Sequence, residues 1–181
     1  MEGRGPRARR LFLALWPDAE QRRQLVGMQE MVVDQGGRPV AASKLHVTLA
    51  FLGNVGVSRE EEVCRVAAGW CGPQVDLRFT RFAHWPRARL ICLEAPDPPQ
   101  VFRDAVGGLH AGLRAAGFAI EDRPFRAHVT LVRNLPRLDR PAGLPAIHRP
   151  LIWPVGSLSL VASTPAPGGS IYSVLSVWPA I

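Results

Sequence analysis

The string His-Val-Thr-Leu occurs twice, as His46-Val47-Thr48-Leu49 and as His128-Val129-Thr130-Leu131, 82 positions apart in a chain of 181 residues. Each copy lies in a short apolar run, Leu45 to Leu52 and Phe125 to Asn134, that reads as a strand. Side chains alternate along a strand, so each histidine shares a face with its threonine while Val47, Leu49, Val129 and Leu131 point into a core. A spacing close to half the chain suggests two lobes of related build, each presenting one imidazole and one hydroxyl. Facing each other, two such pairs would surround one small anion with two proton-transfer groups and two hydroxyl donors.

A lone His-x-Thr on a strand is ordinarily a half-buried pair that the fold satisfies. Identical pairs at matched places in both halves are hard to attribute to packing, which makes His46, Thr48, His128 and Thr130 the candidate catalytic set. Zinc is the rival use of two histidines. A catalytic zinc takes three protein ligands, however, and neither motif has a carboxylate or cysteine close by in sequence, so no metal and no cofactor is expected. His84, His110 and His148 fall outside the motifs and read as structural or surface residues.

The remaining patterns build a frame for the two strands. Leu11 to Trp16, closed by Pro17, reads as a buried strand, and Asp18 caps a helix in which Leu25, Met28 and Val32 recur until Gly36 and Gly37 stop it. Ser58 and Glu61 fit a capping box for a second helix reaching about Trp70. Val75 to Ala83 and Ala88 to Glu94 look like a hairpin around Trp85 and Pro86. The stripe of Val101, Phe102, Ala105, Val106, Leu109 and Leu113 predicts a third helix ending at Gly117. Leu135 to Pro150 reads as an irregular loop, and Leu151 to Ala162 with Ser170 to Trp178 as a closing hairpin. The expected fold is α+β and bilobal: two pseudo-symmetric lobes of mainly antiparallel sheet, helices outside, a cleft between. Residues 1–9 are expected to be a flexible basic tail and 10–181 a single domain. Because the paired lobes complete a cleft by themselves, a monomer is expected.

The formal net charge is +7, and Lys44 is the single lysine among 22 basic residues. Guanidinium forks suit phosphate oxygens and stack on bases, which favours a polyanionic partner. Arginine also replaces lysine in GC-rich genomes without any change of partner, so charge alone does not specify nucleic acid. Cys64, Cys71 and Cys92 are odd in number and lack metal-ligand spacing, as expected of reduced thiols in a cytoplasmic protein. No run approaches the roughly 20 apolar residues of a membrane span, so no membrane association is expected.

The extended first motif Leu45-His46-Val47-Thr48-Leu49-Ala50-Phe51-Leu52-Gly53 and the second, with Phe125-Arg126 before it and Arg133 after, resemble those of the two-histidine (2H) phosphoesterase superfamily. Within it the chain resembles the RNA 2′,3′-cyclic phosphodiesterase (2′-5′ RNA ligase) family. The opening Leu11-Phe12-Leu13-Ala14-Leu15-Trp16-Pro17 carries the likeness, as do Leu158 to Ser163, Gly168-Gly169-Ser170-Ile171-Tyr172 and Trp178-Pro179, so it spans nearly the whole chain from residue 10. Ala127 stands where that family often has proline, and the loop from Leu135 to Pro150 carries no signature of it.

The resemblance implies hydrolysis of a 2′,3′-cyclic phosphate at an RNA 3′ end, tRNA fragments among the candidate substrates, to a 2′-phosphate. It implies His128 as proton acceptor from water and His46 as proton donor to O3′, with Thr48 and Thr130 on the non-bridging oxygens. The same site run backwards would join a cyclic end to a 5′-hydroxyl as a 2′-5′ linkage. Arg133, five residues after His128, falls on the opposite face by strict alternation and reaches the phosphate if the strand twists or ends. Arg126, two residues before His128, is a second candidate phosphate contact, and Phe51 and Phe12 are candidates for stacking a terminal base. The alternatives are a 2H phosphodiesterase acting on small cyclic nucleotides and a non-catalytic RNA-end binder.

Overall fold

The computed structural model describes residues 8–136 and 143–179. A strand–helix–strand unit is built twice. In the first, β1 (Ala8–Leu15) leads through α1 (Ala19–Glu30) and a two-residue strand β2 (Arg38–Pro39) to β3 (Val47–Gly56), which pairs antiparallel with β1. The chain then forms α2 (Glu60–Ala68), β4 (Asp76–Phe79) and β5 (Arg81–Trp85). In the second unit β6 (Leu90–Ala95) leads through α3 (Gln100–Ala115) to β7 (Ala127–Arg133), again an antiparallel partner of its first strand. After β8 (Leu151–Pro154), β9 (Leu158–Ala166) and β10 (Gly169–Trp178) close the chain as a hairpin.

Among the described residues the main sheet runs β10-β9-β1-β3-β7-β6-β5, with β2 attached to β7, while β4 and β8 form a separate ribbon. The expected α+β architecture of antiparallel strands with outer helices is the one observed. Each repeat supplies two of the central strands, flanked by β9 and β10 on one side and β5 on the other, and the repeats meet at β3 and β7. The strands are apolar enough to be covered: β6 is buried along its whole length, and so is β1 from Leu11 onward.

The helices follow their sequence signals unevenly. The Asp18 side chain accepts from the Gln21 amide at 2.7 Å while Gln21 reaches back to the Asp18 amide at 2.8 Å, a full capping box. Phe102, Val106, Leu109 and Leu113 form the buried face of α3 as the stripe predicts. The expected box at Ser58 does not form. A 3₁₀ turn over Val57–Arg59 moves the helix start to Glu60, and Arg59 holds Glu62 instead.

The expected hairpin from Val75 also divides. The Thr80 amide bonds the Glu94 carbonyl, so Arg81 to Trp85 pair with β6 while Asp76 to Phe79 leave to pair with β8. Leu151 to Pro154 therefore belong to that ribbon and not to the closing hairpin. At the start of the chain, Ala8 and Arg9 are in register with Gly56 and Val55, so β1 reaches two residues into the expected tail. Part of the Leu135–Pro150 loop lies outside the described residues.

The first helix ends at Glu30, short of the expected stop at Gly36 and Gly37, and Gly37 has another part. It has φ +88°, and a Cβ there would stand 2.6 Å from the Arg133 carbonyl oxygen. Only glycine allows this close approach, which brings β2 alongside the end of β7.

Candidate active site

The two copies of the tetrapeptide meet where β3 and β7 touch. Their register includes the pair Val47–Val129, both side chains fully buried. In an antiparallel pair this sets His46 alongside Thr130 and Thr48 alongside His128, all four on the face opposite the valines. Beyond that point the strands part, and β7 takes β2 as its neighbour: Arg38 pairs with Arg133 and Pro39 with Val132.

Backbone carbonyls orient both imidazoles in the same way. His46 Nδ1 lies 2.6 Å from the Lys44 carbonyl and His128 Nδ1 lies 2.7 Å from the Arg126 carbonyl. A carbonyl only accepts, so Nδ1 carries hydrogen in each ring and Nε2 is the nitrogen left for chemistry. The Thr48 hydroxyl sits 2.9 Å from His46 Nε2 and donates to it in the neutral ring.

The two histidines have different surroundings. His46 is enclosed by aromatic rings: Trp16 stacks on it at 5.1 Å, Phe12 lies tilted at 5.1 Å, and Tyr172 meets it edge-on at 5.7 Å. Burial pushes its pKa down to about 4, with the Arg133 and His128 charges acting in the same direction against the Lys44 carbonyl. His128 packs against Trp85 at 4.5 Å. Burial lowers its pKa too, while the Arg126 carbonyl and the Glu94 carboxylate oppose the change. Glu94 is 2% exposed and is held by Arg81 Nε at 2.9 Å, Trp85 Nε1 at 3.0 Å and Arg126.

Arg133 and Phe51 reach the cleft through matching irregularities. One step on β6, from Ile91 to Cys92, spans two on β7, from Val132 to Thr130. One step on β1, from Leu13 to Ala14, spans two on β3, from Ala50 to Thr48. The extra residue is the last of the tetrapeptide each time, Leu131 and Leu49, and such a bulge inverts the alternation that follows it. Leu131 and Val132 are both buried, and Arg133 emerges on the side of His128 and Thr130. Phe51 does likewise in β3 and is 47% exposed.

Phe12 lines the hollow of His46 and Arg126 that of His128, but each is also engaged by a neighbour. Phe12 is 4% exposed, with its ring committed to His46 and Tyr172, so Phe51 is the ring with a free face. Arg126 precedes β7, binds Glu94 and lies over Trp85 with its guanidinium carbon 4.6 Å from the ring centre. Its charge is thereby drawn to the wall behind His128.

The histidines border two adjoining hollows that share Thr48 and Phe51. One, of about 600 Å³, holds His46, Thr130 and Tyr172 together with Arg10, Arg38, Lys44 and Arg133. The other, of about 450 Å³, holds His128, Trp85, Phe125, Arg123 and Arg126. Residue spacing along the chain does not reveal the aromatic box of Trp16 and Tyr172, the Glu94–Trp85 wall or the basic rim of Arg10, Arg38 and Lys44. Trp16 and Tyr172 lay within strings already tied to the family resemblance. Nothing local marked Glu94, whose role depends on pairing opposite His128. Among the described residues no three His, Cys, Asp or Glu side chains converge as a metal-binding group.

The family profile described as LigT like phosphoesterase matches residues 15–92. The chain is 31% identical over 170 residues to an RNA 2′,3′-cyclic phosphodiesterase of Escherichia coli, covering 93% of this chain and 95% of that one. It is 32% identical to a protein of the same name from Thermus thermophilus, covering 92% and 87%. The crystal structure of E. coli LigT complexed with 3′-AMP superposes with a TM-score of 0.84 at 30% identity, covering 96% of this chain and 98% of that one.

Proposed function

The chain belongs to the LigT-like phosphoesterase family, and from that premise we propose that it hydrolyses 2′,3′-cyclic phosphate ends of RNA to 2′-phosphomonoesters. One observation carries the proposal. The two His-x-Thr pairs share one sheet face about the Val47–Val129 contact, and matched bulges bring Arg133 and Phe51 to the same cleft.

In the mechanism, His128 Nε2 takes a proton from a water that attacks phosphorus. The bond from phosphorus to O3′ breaks, and His46 Nε2 delivers its proton to that oxygen, leaving the phosphate on O2′. The Thr48 and Thr130 hydroxyls and the Arg133 guanidinium stabilise the charge that builds on the non-bridging oxygens. To do so Thr48 turns its hydroxyl from His46 Nε2 to the phosphate, which frees that nitrogen. In the free protein His46 is neutral at pH 7, because burial and Arg133 disfavour its cation. A bound diester anion offsets both effects, so the donor gains its proton together with the substrate. Chemistry of this kind uses no metal.

The basic rim of Arg10, Arg38 and Lys44 lies beyond the phosphate-sized centre, which supports an oligonucleotide over a small cyclic nucleotide. Phe51, with Arg10 4.9 Å above its ring, offers the terminal base a stacking face. The reverse reaction, 2′-5′ joining of a cyclic end to a 5′-hydroxyl, uses the same groups with the proton transfers inverted. We further propose a cytoplasmic monomer, with the chain from Ala8 in β1 to Trp178 in β10 as one domain. Three free thiols support the compartment, and among the described residues no helix is long and apolar enough to cross a membrane.

The test is to incubate the protein in EDTA with a short RNA bearing a 2′,3′-cyclic phosphate and to resolve 2′- from 3′-phosphate products. A 2′-phosphate that disappears with His46→Ala and with His128→Ala is the expected result. Binding without product overturns the enzymatic reading, and turnover confined to mononucleotides overturns the RNA reading.

A further inference from the structure

Each bulge leaves a main-chain carbonyl on the inner edge of its strand, where β3 and β7 have parted. Leu49 and Leu131 are buried residues whose carbonyls lack a strand partner on that edge, so these oxygens need other hydrogen-bond donors. The Leu49 carbonyl accepts from His110 Nε2 at 2.7 Å. The Leu131 carbonyl accepts from the Val40 amide at 2.8 Å and from Gln29 Nε2 at 2.7 Å. Gln29 Nε2 also bonds the Val40 carbonyl at 2.8 Å, tying the chain after β2 to β7.

His110 and Gln29 are counterparts. Each is the eleventh residue of its helix, α3 counted from Gln100 and α1 counted from Ala19. The bonds cross over. The helix of the second repeat clamps the motif of the first, and the helix of the first clamps the motif of the second.

We propose that His110 and Gln29 are positioning residues for the reaction, each holding the bulge that turns Phe51 or Arg133 onto the catalytic face. Without the His110 bond the Leu49 carbonyl would lose its fixed protein partner on that edge. Straightening the strand would then let the oxygen find one, and Phe51 would rotate away from Thr48 toward the core. Loss of the Gln29 amide would loosen Leu131 in the same sense, less severely because the Val40 amide remains. The effect on catalysis rests on the function proposed above.

The experiment is a pair of double-mutant cycles on the cyclic-phosphate RNA, with a structure of His110→Ala as an independent readout. His110→Ala is expected to lower kcat/KM roughly 10- to 100-fold, the scale of an ångström-sized displacement. Combined with Phe51→Ala it should cost little more than either change alone, whereas combined with Arg133→Ala the losses should multiply. His110→Gln can donate to Leu49 as Gln29 does to Leu131, and should recover activity to within about threefold of wild type. A residue needed only for stability would give losses that multiply with Phe51→Ala as well, and that result overturns the proposal. So does a glutamine variant no better than alanine. If the wild type leaves the cyclic phosphate intact, the functional reading fails by itself. The crystal structure of His110→Ala, or of His110→Phe should alanine not fold, still decides the clamp, because an unchanged bulge with Phe51 in place overturns it.

Discussion

Val47 and Val129 pair across β3 and β7 at the point where the two strands part. Their side chains anchor the core below, and the polar residues on either side of them are lifted onto one surface. Pseudo-symmetry thereby gives the site two proton-transfer groups of the same tautomer, each ring fixed through Nδ1 to the carbonyl two residues before it. The chemistry needs these groups to be unlike, and the walls make them so: an aromatic box around His46 and a buried carboxylate behind His128.

Removing either imidazole should abolish general acid–base catalysis while leaving the buried valines intact. His46→Ala and His128→Ala are each expected to lower kcat by roughly 100-fold or more, with an unchanged far-ultraviolet dichroism spectrum. A folded variant of either kind that keeps wild-type kcat would take that histidine out of the mechanism.

Activity should persist in EDTA. Loss of turnover on chelation, regained when zinc is added, would replace the two-histidine account with a metal-dependent one.

The pH dependence follows from the surroundings of the two rings. Both pKa values lie below the ordinary 6.5, that of His46 at about 4. The productive free enzyme carries one proton on the pair. Its kcat/KM should therefore trace a bell with both limbs below pH 6.5, the one set by His46 near pH 4. Removing the Glu94 charge with Glu94→Gln withdraws a contribution that favours the His128 cation, so the limb set by His128 should move further toward acid. Movement toward alkali would mean that the carboxylate acts otherwise.

Gly37→Ala tests the approach of β2 to β7. With φ +88° and a Cβ 2.6 Å from the Arg133 carbonyl, the substitution should cost about 1–3 kcal/mol of stability. It should also lower kcat/KM by shifting Arg133. Calorimetry and turnover on one sample check both, and wild-type values would show that the loop has room to yield.

The basic rim should register in salt dependence. Each of Arg10, Arg38 and Lys44 that contacts an RNA phosphate should, when changed to alanine, reduce the slope of log affinity against log salt concentration by about 0.7. The measurement uses binding of an uncleavable oligonucleotide to the His128→Ala variant. Slopes unchanged in all three variants would confine recognition to the terminal nucleotide.

Much of the site could be read along the chain because it rests on local regularities. Strand alternation put His46 with Thr48 and His128 with Thr130, the capping residues of α1 marked its start, and the stripe from Val101 to Leu113 marked α3. The repeat itself announced two related halves. What alternation could not supply was Arg133 on the histidine face, since a bulge is a mismatch in count between two strands and neither strand contains it alone. The same holds for Phe12, whose ring is taken up by His46, and for Arg126, drawn aside by Glu94. Nothing in the sequence distinguishes Gln29 from other polar helix residues, and His110 reads there as a structural or surface residue. Only the folded chain, in which each helix reaches the bulge of the other repeat and the Leu49 and Leu131 carbonyls lie off the β3–β7 ladder, gives these residues their partners. The sequence by itself determined which groups are the candidates for the proposed chemistry, because side-chain type and short-range periodicity suffice for that. Tertiary structure decided how they are aimed, because aim depends on hydrogen bonds between residues far apart in the chain.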